Sequence, residues 1–243
     1  IPNIPIVLIA VNHDLYTFDS PYNSLIWGSH VHIFKNSHFK SIEFPKIHTR
    51  VWGASTTANN MKLNLLSNVT LENDPDNFTI LTCHASNLYK LPKQFSEGMC
   101  SPFSITDIEK INCDYIALGH YHEFQVLGSK QNCVYSGIPQ ATGFDELGDT
   151  SIVIAEIKKS SPPLIKTKNI SFFNFKEIDF DISTISNSTT LSDSILSHMT
   201  TTCRKDDIYK INLKGELLDT LELNEQSIAW VMNDHSYYVQ LQN

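Results

Sequence analysis

Two imidazoles stand one residue apart in the stretch IALGHYHEF, residues 116–124, as His120-Tyr121-His122 at the end of an apolar run. Alternate residues of a strand face the same way, so the pair can present ring nitrogens to one metal ion. A surface strand can also carry two histidines to no purpose. Partners decide between these readings. The apolar run VLIA is followed at once by Asn12-His13-Asp14, and the run FTILTC ends on His84. Three apolar strands thus each deliver histidine at the C-terminal tip, where α/β folds place their chemistry. Taken singly, His84 reads as a hydrogen-bonded histidine at a strand end and Asn12-His13-Asp14 as a turn, since Asn and Asp both favour turns. The threefold coincidence favours the metal. A second such pair, His30-Val31-His32, precedes a strand and has no Asp, Glu or Cys beside it, so it reads as a solvated edge.

The elements that must position these residues follow from the hydrophobic pattern. Strand-like runs at 4–10, 31–34, 78–83, 115–118, 124–127, 133–135 and 151–157 are separated by polar loops rich in Asn, Ser and Pro. The segment SPFSITDIEKIN predicts a helix capped by Ser104 or Thr106, with acidic residues in its first turn and Ile105, Ile108 and Ile111 on one face. It feeds directly into CDYIALGHYH, a helix-then-strand unit of an α/β fold. Residues 158–169, KKSSPPLIKTKN, read as a linker. Beyond it FNFKEIDFDI (strand), TLSDSILSHMTTTC (helix), DIYKINLKGEL (strand), LNEQSIAWVMN (helix) and YYVQL (strand) predict a small second α/β unit over 170–243.

Composition bounds the function. With 243 residues, 41% hydrophobic and 18% charged, the chain can bury a sizeable core. No run reaches the roughly 18 apolar residues of a membrane span, and no signal peptide is visible, so no membrane partner and a cytoplasmic location are expected. Five cysteines without CxxC spacing argue against both a disulfide framework and a cysteine-zinc knuckle, and so for a reducing compartment. Four N-x-S/T matches, at Asn68, Asn77, Asn169 and Asn187, are chance in a chain this rich in Asn, Ser and Thr. A net charge of −8 leaves no basic footprint for non-specific nucleic-acid binding, so such a function must rest on a local site. The opening IPNIPIVLIA lacks an initiator Met and begins directly on what reads as a fully buried strand, which predicts an N-terminally incomplete chain.

On these motifs the sequence resembles the calcineurin-like metallophosphoesterases, whose later motifs are an N-H-D/E triplet, an isolated His and a G-H-x-H. Here those are Asn12-His13-Asp14, His84 and Gly119-His120-Tyr121-His122. The stretch CVYSGIPQATGFDELGDTSIVIAEI after them is similar to that of the bacterial SbcD/YhaO-type DNA repair exonucleases. The resemblance covers nearly the whole chain and is strongest over 1–157. It implies a four-layer sandwich of two mixed sheets flanked by helices, with a small C-terminal α/β cap over 170–243. It further implies two divalent ions, Mn²⁺ by family habit: one held by Asn12, His84 and His120, the other by His122. His13 would be the general acid and Asp14 would orient it. DNA would be the substrate, an SMC-like ATPase of the SbcC/YhaN type the partner, and a homodimer the assembly. Cap residues Lys205, Lys210 and Lys214 would be candidate phosphate contacts, against the plainer reading of solvated surface.

The family's opening D-x-H and G-D-x-x-D, which supply three ligands including the bridging carboxylate, do not occur ahead of Asn12 and are expected upstream of Ile1, so residues 1–243 alone are expected to bind metal weakly and to be inactive. Val11 stands where the family has Gly, and Ala141-Thr142 where it often has Gly-Arg. Two other readings stay open: a metallophosphoesterase acting on a small molecule or a phosphoprotein, and a catalytically decayed binding module.

Overall fold

The computed structural model describes residues 4–72, 74–88, 99–148, 150–216, 221, 236 and 238–242. It is a mixed α/β protein of several sheets and few helices, in two compact units: Ile1–Gly137 with Val153–Thr167, and Ile138–Ile152 with Lys168–Asn243.

In chain order the first unit contains β1 (Ile6–Leu8), α1 (Pro21–Ser24), β2 (Val31–Ile33), β3 (Lys40–Phe44), β4 (Thr49–Gly53), β5 (Phe78–His84), α2 (Ile105–Lys110), β6 (Tyr115–Gly119), β7 (Phe124–Leu127) and β8 (Cys133–Ser136). Among the described residues its main sheet has six strands in the order β3-β4-β5-β6-β8-β7. The four central strands run parallel and the two edges antiparallel. Central parallel strands are covered on both faces and so read as apolar runs. Leu81, Cys83, Ile116, Leu118 and Tyr135 are accordingly buried, packed with Phe103, Ile108 and Ile111 of the α2 segment. That helix starts where expected, with a capping box in which Ser104 and Asp107 satisfy each other's backbone N–H groups.

Strands β3 and β4 were not expected. Their alternation is masked by charge: Arg50 on β4 faces Glu43 on β3, at 2.6 Å, and also reaches Glu72, at 2.8 Å. The aliphatic stem lies down with only 14% of the side chain exposed while the charge finds partners, so a strand position reads as polar. The expectation for residues 4–10 is corrected. β1 is a short strand paired in parallel with β2 alone among the described residues, and Ile4 and Ile6 are about half exposed. Val7 and Ile9 pack against Phe34, Phe44 and Val51 while Ile4 and Ile6 face solvent, so this strand is covered on one face rather than two.

β9 (Ile152–Glu156) and β10 (Leu164–Lys168) pair with each other, so the segment read as a linker, 158–169, carries a strand. In the turn between them Lys159 reaches the Asp114 carboxylate at 2.9 Å and the Asn77 carbonyl at 2.6 Å.

The second unit contains β11 (Phe175–Asp181), α3 (Ser188–Thr202), β12 (Ile208–Lys214) and β13 (Tyr238–Gln242), the three strands parallel in the order β11-β12-β13. Asn187 caps α3 by accepting from Thr190 N–H at 2.9 Å. Leu191, Ile195 and Met199, spaced by four, form the buried stripe of the helix against Ile211 and Leu213. The Gln140 carboxamide accepts from Phe172 N–H and donates to the Phe173 carbonyl, tying 138–152 into this unit. Two of the three lysines named as phosphate contacts are engaged otherwise: Lys210 pairs with Glu177 at 3.0 Å, and Lys214 lies 3.9 Å from Asp179. The helix expected over 223–233 lies outside the described residues. Among those described, no helix is long and apolar enough to cross a membrane, and all five cysteines are free.

Candidate functional site

Parallel pairing of β5 with β6 sets His84 opposite Gly119, so the C-terminal ends of both strands open on the same edge of the sheet. His120 follows at once. After β1 the chain makes a tight turn in which Val11 and Asp14 exchange both backbone hydrogen bonds, at 3.2 and 3.1 Å, leaving Asn12 and His13 at its two corners. Val11 adopts an ordinary negative φ there, so the glycine expected from the resemblance is not required by the backbone.

Residues from the exit of β4 clamp this turn. The Ala10 N–H donates to Ser55 Oγ at 2.8 Å, and the Ser55 hydroxyl in turn donates to the Phe34 carbonyl. Thr56 N–H donates to the Ala10 carbonyl, and Tyr16 N–H to the Thr56 carbonyl, both at 2.9 Å. Ser55 and Thr56 are buried. Nothing in the spacing points to them, because they lie more than forty residues from the turn they hold.

The inner contacts are short. His84 Nε2 lies 2.6 Å from Asn12 Oδ1 and 3.2 Å from His120 Nδ1, the two rings standing edge to face at 84°. Asn12 Oδ1 has no hydrogen to give, so its contact needs a proton on His84 Nε2, and His120 Nδ1 competes for that same proton. Three lone-pair atoms thus converge with at most one proton among them, an arrangement that a cation satisfies better. Burial holds the His84 imidazole down to about 3, reinforced by His120, His13 and His122 in turn, and burial with His122 and His13 lowers His120 too. Both rings are therefore neutral at neutral pH.

Of the residues picked out by sequence, the structure brings Asn12, His84 and His120 into contact. His13, Asp14 and His122 are exposed around them, with His13 and His122 close enough to act electrostatically on both inner rings. Asp14 faces the Tyr22 hydroxyl, whose pKa rises to about 12 through burial first and the carboxylate second. Among the described residues no group of three or more His, Cys, Asp or Glu side chains is arranged to hold a metal ion; the inner cluster reaches three only by counting the Asn12 carboxamide. His32 lies apart, its ring edge-on to Phe44 at 5.0 Å, and His30 covers Gly28.

Two backbone features mark the cluster as built. His120 has φ 116°, a region that residues with a side chain rarely occupy and that concentrates at functional sites. A Cβ added at Gly119 would lie 2.9 Å from His84 Nδ1, so glycine is what lets the ring approach the strand. Gly119→Ala is expected to push the His84 ring away, destabilising the protein by about 1–3 kcal/mol. Because the backbone itself tolerates alanine there, the penalty should largely vanish in a His84→Ala background, and a double-mutant cycle by denaturant unfolding measures that coupling. Below the cluster the buried Tyr135 hydroxyl donates to the Ala85 carbonyl at 2.6 Å, fixing the chain just past His84.

A pH dependence follows from the lowered His84. Its imidazole stays neutral in the folded protein down to about 3, whereas in the unfolded chain it takes a proton below its ordinary 6.5. The unfolded state binds more protons between those values, so stability is fully present above pH 6.5 and is lost as pH falls toward 3. At pH 5 the loss is about 2 kcal/mol. Denaturant unfolding of the metal-free protein at pH 7 and pH 5 measures it, and His84→Gln should flatten the difference.

No family model matches this chain, and no curated protein sequence matches it.

Proposed function

We propose that this protein is a metal-dependent phosphodiesterase of the DNA exonuclease type, with the four-layer sandwich of the calcineurin-like metallophosphoesterases. The observation that carries the reading is the convergence of Asn12 Oδ1, His84 Nε2 and His120 Nδ1. Adjacent ligands of an octahedral ion with bonds of about 2.1 Å lie about 3 Å apart, and the two contacts, at 2.6 and 3.2 Å, bracket that spacing. Two neutral imidazoles and a carboxamide form a mixed N/O donor set that suits Mn²⁺. The six-stranded sheet with a parallel centre supports the fold, since it aligns the two strand ends that carry His84 and His120.

In this reading Asn12, His84 and His120 would hold one ion and His122 would hold a second, which also needs carboxylate oxygen. What divalent ions supply when bound is positive charge against the phosphate oxygens and a lowered pKa for the attacking water. The chain's own groups do the rest. Burial keeps His84 and His120 unprotonated, so their lone pairs need no proton release to bind. His13, exposed at the corner of its turn, donates a proton to the leaving oxygen, and Asp14 with Tyr22 holds that turn in place.

Incubation with Mn²⁺ and linear duplex DNA, single-stranded DNA or a chromogenic phosphodiester tests the reading. Metal-dependent cleavage of DNA supports it. Cleavage of the chromogenic diester alone points to a small-molecule or phosphoprotein substrate, and metal binding without any turnover points to a binding module.

A further inference from the structure

Tyr121, the residue between His120 and His122, packs against the core of the main sheet. Its ring lies 5.0 Å from the His120 ring, tilted by 56°, and 5.0 Å from the ring of fully buried Tyr135, near edge to face at 68°. Aromatic pairs at such distances attract beyond the area they bury. The Tyr121 hydroxyl donates to the Asn87 carbonyl at 3.1 Å, three residues past His84, and the Tyr135 hydroxyl holds the Ala85 carbonyl one residue past it. Both phenols therefore grip the exit of β5. That exit is itself fixed: Ser86 N–H donates to the Cys100 carbonyl at 2.7 Å, the Ser86 carbonyl accepts from Phe103 N–H at 2.9 Å, and Asn87 is buried.

Packing alone would be served by Phe or Leu at this position. The hydroxyl does more, because it ties the strand end that carries His120 to the one that carries His84. His120 has need of such a tie. Its φ of 116° persists only where the surroundings hold it, and the next residue along the chain is the one locked at both ring and hydroxyl. We propose that Tyr121 is a positioning residue of the candidate metal site, holding His120 in this backbone conformation so that its Nδ1 faces His84 Nε2 at 3.2 Å. Its part in metal binding rests on the reading given above. The spacing of the two imidazole donors is then set by contacts that run from His120 through Tyr121 and Asn87 back to His84.

The test uses the full chain with isotope-labelled histidine and reads two quantities: the nuclear Overhauser effect between the His84 and His120 rings without metal, and Mn²⁺ affinity by isothermal titration. Tyr121→Leu removes ring and hydroxyl, so it should erase the ring-to-ring effect and weaken Mn²⁺ binding about tenfold or more. Tyr121→Phe keeps the stacked ring and loses only the tie to Asn87. It should weaken the ring-to-ring effect and reduce Mn²⁺ affinity about threefold. Leu127 packs on the same core but opposite Cys133, at the end of the sheet away from the histidines. Leu127→Ala should therefore lower the unfolding midpoint and leave both readouts unchanged, which separates positioning from mere support of the fold. A ring-to-ring effect untouched in Tyr121→Leu, or Mn²⁺ binding weakened no more than by Leu127→Ala, overturns the assignment. If Tyr121→Leu does not fold, Tyr121→Phe decides by the same two readouts. Absence of Mn²⁺ binding in the unsubstituted chain removes the metal reading by itself, and the ring-to-ring effect then decides whether Tyr121 sets the contact between His84 and His120.

Discussion

His84→Ala is expected to lower Mn²⁺ affinity by at least a hundredfold and to remove any metal-dependent phosphodiester hydrolysis. The reason is position: His84 Nε2 is the atom that both Asn12 Oδ1 and His120 Nδ1 face, so its removal separates the other two donors rather than deleting one of three equivalents. Loss of a ligand and of its orienting partners costs more than loss of either alone. Isothermal titration with Mn²⁺ and a chromogenic diester assay measure the two effects. His32→Ala is the control, since that ring packs on Phe44 away from the cluster and should leave both unchanged. Unaltered Mn²⁺ affinity in His84→Ala would sink the metal assignment.

Ser55→Ala should produce the largest loss of stability from a single small change near the site, about 2–4 kcal/mol. The hydroxyl accepts from Ala10 N–H and donates to the Phe34 carbonyl, all three residues being buried, so alanine leaves two backbone groups unpaired without making room for water. Denaturant unfolding gives the loss. Because Ala10 leads into the turn that carries Asn12 and His13, Mn²⁺ affinity should fall as well, by about tenfold, although residue 55 touches no ligand. A stability loss with unchanged metal affinity would mean that the turn keeps its shape without this clamp.

The histidine-bearing strand ends were legible because burial and chemistry coincide there. In β5 one face is buried and the other partly buried, and β6 is buried over most of its length, so both read as apolar runs, and each run stops where a histidine or the glycine before one begins. The same logic exposed α2, whose Ser104 and Asp107 announce a capped start, and α3, whose Leu191, Ile195 and Met199 recur at helical spacing. Where a strand is covered on one side only, or pairs its charges internally, the pattern fades. β1 was expected to be buried on both faces and is not. β3 and β4 went unread because Arg50 and Glu43 neutralise one another across the two strands, with Glu72 of a later loop as a further partner.

What the sequence determined by itself is the set of groups available for chemistry and the strand ends on which they ride, since both depend on local pattern. What only the tertiary structure decided is which of those groups meet. Asn12 and His84 are 72 positions apart, and His120 lies 36 beyond His84. Their contact exists because β5 and β6 pair in parallel with His84 opposite Gly119, and because buried hydroxyl and backbone groups from the exit of β4 fix the Asn12 turn against them. Periodicity records the burial of each residue but not the register between distant strands, nor which backbone N–H a buried serine will satisfy. Those are set when the sheet closes, by the requirement that every buried polar group find a partner.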